Sequence, residues 1–172
     1  MRSSKKIKAI TFSGICIALI VVMLFMASIV DILDYTISAI CGIVVTFILI
    51  EFGMSYAVLS YAGASILGLI LVPNKINAIL FVAFCGWYPF VKRYLERLPE
   101  IFCLITKFAV FNISLAAIYF VSKAFFPFEG STKLLVAMYL LCNVTFFLYD
   151  TLITKLIWLY VHKYRKLFKI LK

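Results

Sequence analysis

Polar and apolar positions in this chain fall into long blocks. Six apolar runs, at 9–30, 35–50, 54–72, 76–91, 101–126 and 134–160, are separated by short polar interruptions. A helix crosses the hydrocarbon core of a bilayer with about 20 apolar residues, with some latitude for tilt. Runs of this length without strict alternation predict helices rather than barrel strands. The second run is short, so its flanks are expected in the headgroup layer. Turn and breaker residues mark the interruptions: Asp31 and Asp34, Glu51 and Gly53, Pro73 and Asn74, Pro127 and Gly130. The most densely charged interruption is CGWYPFVKRYLERLPE at 85–100, with Lys92, Arg93, Glu96, Arg97 and Glu100. It is expected to form the loop between the fourth and fifth helices, with Trp87, Tyr88 and Pro89 at the exit of the fourth.

Charge gives these blocks a direction. With the N-terminus in the cytoplasm, the inner segments hold Arg2, Lys5, Lys6 and Lys8, then Lys92, Arg93 and Arg97, then the basic tail from Lys163 onward. Those are twelve of the seventeen basic residues. Lys75, Lys123 and Lys133 fall outside, and Lys107 and Lys155 fall within runs. A basic excess on the cytoplasmic side predicts both termini inside, as an even number of spans also requires. The expected fold class is all-α: one polytopic membrane domain over 1–172, with six transmembrane helices, multi-pass in the plasma membrane. The opening MRSSKKIK imitates a signal peptide, but the following run exceeds the roughly 7–15 residues of an h-region, so it is expected to remain as the first helix.

Composition supports the same picture. The chain is 66% hydrophobic and 14% charged, with a mean hydropathy of +1.14, against about 25% charged residues in a soluble domain. A net charge of +10 would suit nucleic acid only if it were gathered on one folded face. Here the basic residues flank apolar runs, so anionic lipid headgroups are the expected partners and nucleic acid is not. Five scattered cysteines without a CxxC, and a single histidine (His162), offer neither a disulfide framework nor a metal site. No cofactor is expected.

The residues that could carry chemistry lie within the runs. Small residues let membrane helices approach closely. Gly14 and Ala18 form such a pair on the first helix, Ala9 and Ser13 form another, and Ala57, Ser60, Ala64 and Gly68 line one face of the third. They serve either packing within the bundle or contact with another protein. At 3.6 residues per turn, Asn112, Tyr119 and Lys123 share a face of the fifth helix, and Tyr139, Asn143 and Asp150 share one of the sixth. Polar groups at bilayer depth favour the bundle interior or a wet cavity. These stripes therefore either line a ligand pocket or bond across the helices to fix register. Lys107 and Asp150 are expected at similar depth, as an ion pair or, on the sharper alternative, as part of a proton relay. A nucleophile motif, a zinc helix and paired acids are all missing, so no enzymatic activity is expected.

Six spans in a short chain, cytoplasmic termini and the small residues of SGICIA in the first helix resemble the substrate-binding S components of energy-coupling factor transporters. The resemblance implies capture of a small, vitamin-like solute from outside, and docking to a transmembrane coupling subunit driven by ATPases. It places the docking face at Gly14 and Ala18, and the pocket, by region, at Asp34, Asn74, Asn112, Tyr119, Tyr139 and Asn143. The loop between the first two helices, DILDY, is shorter than the capping loop usual in that family. The stretch GWYPFVKRYLERL also resembles one recurrent in small uncharacterised six-helix membrane proteins of bacteria. The alternative expectation is a non-catalytic structural or assembly protein of the bacterial membrane.

Overall fold

The computed structural model describes residues 2–29, 34–125 and 132–164, and every regular element among them is a helix. The elements are α1 (Arg2–Ala27), α2 (Asp34–Glu51), α3 (Met54–Leu71), α4 (Lys75–Leu80), α5 (Tyr88–Leu95), α6 (Glu100–Phe125) and α7 (Thr132–Leu159). A π-helical turn, Phe81–Cys85, follows α4, and another, Tyr160–Tyr164, follows α7. Among the described residues, four stretches are long and apolar enough to cross a membrane: Lys6–Ala27, Met54–Leu71, Glu100–Phe120 and Lys133–Lys163. Tyr35–Glu51 is a shorter apolar helix. The chain forms two compact units, Met1–Leu98 and Pro99–Lys172. Asp31, Pro127, Gly130 and the tail beyond 164 lie outside the described residues, as do the side chains of Asp34 and Lys123.

The first unit is built around α2, which packs against α1, α3, α4, the π turn and α5. Its apolar character on all sides suits a helix enclosed by others, and Cys41, Val45, Ile48 and Leu49 are buried. Between α2 and α3 the chain turns in two residues, with Gly53 at φ 90°. That left-handed backbone is one that residues with a Cβ rarely adopt, which accounts for glycine there. α1 packs extensively along α3. Ala57, Ser60, Ala64 and Gly68 all lie buried on α3, and a Cβ at Gly68 would sit 3.4 Å from the Leu24 side chain of α1. The small-residue stripe of the third run is thus a packing face within this unit. The Lys75 ammonium then closes the end of α3, donating to the carbonyls of Leu69 (2.8 Å) and Val72 (2.9 Å). A cation there also suits the negative end of the helix dipole.

The fourth apolar run departs from the single helix expected over 76–91. It breaks into α4, the π turn and α5. The Gly86 N–H donates to the Phe81 carbonyl, five residues back, at 2.8 Å. A π turn leaves carbonyls misaligned with the next helical turn. Two are taken up by side chains: the Tyr61 hydroxyl donates to the Val82 carbonyl (2.8 Å) and the Trp87 indole N–H to that of Ala83 (2.6 Å). Pro89 has no N–H to extend the earlier helix but fits the first turn of a new one. The stretch 85–100, expected as a loop, is therefore largely helical. Tyr88, Phe90 and Lys92 are buried, and α5 packs on α2.

Gly86 allows this break. A Cβ there would meet the Tyr61 ring at 2.5 Å. The ring cannot easily yield, because its hydroxyl is bonded to Val82 and it packs against the rings of Phe81 and Phe90, each at a centroid distance of 5.9 Å. Gly86→Ala is expected to cost about 1–3 kcal/mol by overpacking, read as a lowered unfolding midpoint of the detergent-solubilised protein. Adding Tyr61→Leu should recover part of the loss. Purely additive costs would place the strain elsewhere.

Candidate functional site

Four of the polar side chains singled out from the sequence meet in pairs in the second unit. The Lys107 ammonium lies 2.9 Å from an Asp150 carboxylate oxygen, with both side chains largely buried. Farther along α6, the Asn112 amide N–H₂ donates to the Asn143 side-chain oxygen at 3.1 Å, and Asn143 returns the bond at 3.4 Å. Each asparagine also donates to a backbone carbonyl one turn earlier in its own helix, Asn112 to Phe108 (2.8 Å) and Asn143 to Tyr139 (3.0 Å). Moving from Lys107 to Asn112 runs up α6, and moving from Asp150 to Asn143 runs down α7. The helices are therefore antiparallel.

Between the two polar layers lies an aromatic one. Phe146 stacks on Phe111, with ring centroids 4.4 Å apart, and meets Phe108 edge-on at 5.3 Å. Each layer sets register in its own way. The amide pair and the ion pair are directional, and a slip of one helical turn would leave four polar side chains without their partners. Phe146 is buried and Phe108 and Phe111 are half-buried, which limits the water that can compete at the bonds on either side.

The remaining candidates do not join this ladder. Tyr119 and Tyr139 are 44% and 49% exposed, so the helical stripes do not converge on the asparagine pair. Asn74 is half-buried where α3 passes to α4, and Asp34 begins α2, both in the first unit. Gly14 and Ala18 are exposed on α1, and a Cβ added at Gly14 meets nothing within 4 Å. Ala9 and Ser13, the other small pair, are buried. The five cysteines are free thiols, and among the described residues no three His, Cys, Asp or Glu side chains gather as metal ligands. His162 stacks on Trp158 at 4.8 Å and bonds to its carbonyl.

The sequence reading missed two features. Lys92, expected on a loop, is 1% exposed, with its ammonium 3.1 Å from Glu96. The signal was the spacing of Lys92 and Glu96, four residues apart behind Pro89, which is that of a helical ion pair. The other is the cluster of Tyr61, Gly86 and Trp87 around the π turn, which hydropathy alone does not reveal. No protein-family model, curated protein or solved structure matches this chain, so nothing from the comparisons identifies it as an S component.

Two expectations follow from the ladder. Removing one member of a buried ion pair leaves an uncompensated charge and typically costs about 3–5 kcal/mol, whereas replacing both by apolar residues is often neutral. Lys107→Met or Asp150→Leu alone should therefore destabilise far more than the two together, as measured by reversible unfolding in mixed micelles. For the amides, a double-mutant cycle of Asn112→Ala and Asn143→Ala should give a coupling of about 0.6–2 kcal/mol. A coupling near zero would mean that the two side chains act independently.

Proposed function

We propose that this chain is a multi-pass membrane protein of the structural or assembly class. It has both termini in the cytoplasm and works by holding partners rather than by catalysis. The observation that carries this reading is how the polar groups of α6 and α7 are used. Lys107 and Asp150 satisfy one another, as do Asn112 and Asn143. Groups bonded in this way stabilise and align a helix pair. To bind a solute they would first have to give up those bonds, at a cost that the solute's own contacts must exceed. The apolar helices suit a bilayer, and the distribution of basic residues supports the cytoplasmic placement of the ends.

A second proposal, a solute-binding subunit resembling an S component, draws on α1. Gly14 and Ala18 present an open, small-residue face outward, where a coupling subunit's helix could approach closely. One experiment separates the two. The full chain is extracted gently from its native membrane and weighed intact, together with Gly14→Leu and Ala18→Leu variants. The assembly reading expects protein partners without a retained small molecule. The solute-binding reading expects a retained small molecule and an ATPase-bearing complex that both substitutions abolish. Retention of a small molecule would overturn the assembly reading, and a complex indifferent to both leucines would overturn docking through α1.

A further inference from the structure

The charged face of α5 is left unexplained by either proposal. This helix is sharply two-sided: Tyr88, Phe90 and Lys92 are buried, while Arg93, Tyr94, Glu96, Arg97 and Leu98 at and beyond its end are exposed. The buried lysine changes the charge balance of the exposed face. The ammonium of Lys92 holds Glu96, an acid on that face whose side chain is 39% exposed, at 3.1 Å, so part of the carboxylate's charge is met from within. Arg93 and Arg97 have no carboxylate partner among the described residues. The Arg97 guanidinium instead lies over the Tyr94 ring, 5.4 Å from its centroid. Two arginines thus stand beside two exposed apolar side chains, Tyr94 (55% exposed) and Leu98 (43%).

That combination fits one environment well. At the boundary between headgroups and acyl chains, tyrosine and leucine reach toward hydrocarbon while arginine meets phosphate. The planar guanidinium offers paired N–H donors matched to phosphate oxygens, which a lysine in the same place would not. We infer that α5 is an interfacial helix whose Arg93 and Arg97 bind the phosphate of anionic phospholipid, with Tyr94 and Leu98 seated against the acyl chains. Burial of Lys92 tunes the site by partly neutralising Glu96. The inference rests on the bilayer reading above, and the experiment is arranged so that the two can fail separately.

The full chain would be reconstituted in nanodiscs of phosphatidylcholine with a minor fraction of phosphatidylglycerol, then released and weighed intact with its bound lipid. The wild type is expected to retain phosphatidylglycerol well above its share in the disc. Arg93→Gln/Arg97→Gln should lose about ten- to thirty-fold of that preference, the value of two basic residues at an anionic surface. A charge-matched control, Lys133→Gln/Lys155→Gln, should keep it, and inorganic phosphate added in excess should not displace the lipid. The inference is overturned if the wild type shows no preference, if the arginine variant retains it, or if the lysine control loses as much. Displacement by inorganic phosphate would overturn it in favour of a free-phosphate site. Alkaline extraction of native membranes tests the bilayer reading separately. A chain released into the soluble fraction would overturn both readings, and a membrane-retained chain without lipid preference would overturn only the α5 site.

Discussion

An unpaired polar group is costly in an apolar interior, whether its surroundings are lipid or packed side chains. In a chain that is two-thirds hydrophobic, that cost accounts for where many of the polar side chains go. Serines and threonines along the helices turn back onto the carbonyl one turn earlier, as Thr46 does on Gly42, Ser60 on Tyr56 and Ser114 on Val110. Tyr61 and Trp87 take the carbonyls that the π turn leaves misaligned. Among the longer polar groups, Lys107 pairs with Asp150 and Asn112 with Asn143 across helices, and Lys92 pairs with Glu96 along one.

The two units answer this constraint differently. In the first, close backbone approach does most of the work: small residues of α3 receive α1, and the polar side chains there mainly repair the backbone. Among its described residues, the buried ammonium of Lys92 is paired along its own helix with Glu96. In the second, two long helices meet through side chains alone, and register is carried by layers of ions, rings and amides. Small-residue packing tolerates sliding along a smooth face. A ladder of directional bonds does not.

This difference explains what could be read from the sequence. Long uninterrupted helices keep their periodicity, so the shared faces of Asn112 on one helix and of Asn143 and Asp150 on the other were legible, as was the depth match of Lys107 with Asp150. Tyr119 and Tyr139 fall on the same helical stripes, yet they are exposed. A stripe at 3.6-residue spacing drifts around the helix over two turns, and a tyrosine's length lets its hydroxyl reach out of an apolar face. The fourth run was misread because hydropathy registers only how apolar a segment is, and a π turn is as apolar as the helix it interrupts. Gly86 and Pro89 were visible. Reading Pro89 as an exit rather than as the first turn of a new helix hid the burial of Lys92. That burial depends on tertiary contact with α2, which local pattern does not carry.

The Lys107–Asp150 pair also bears on how the second unit could enter a membrane. Taken singly, α6 carries the Lys107 charge in its N-terminal half and α7 the Asp150 charge in its C-terminal half, and each would cost up to roughly 2.5–3.5 kcal/mol, the value at the centre of a spanning helix. Joined as an antiparallel hairpin, they present a neutral pair shielded by each other's surface, and the asparagine amides are removed from lipid by the same closure. The penalty thus falls on the separated helices and not on the hairpin. Insertion of α6 and α7 as one unit is favoured over stepwise insertion by the part of those costs that pairing removes, since a buried pair still carries a desolvation cost, less the entropy of closing the short 126–131 connection. That closure term grows only slowly with loop length and stays well below the price of two isolated charges.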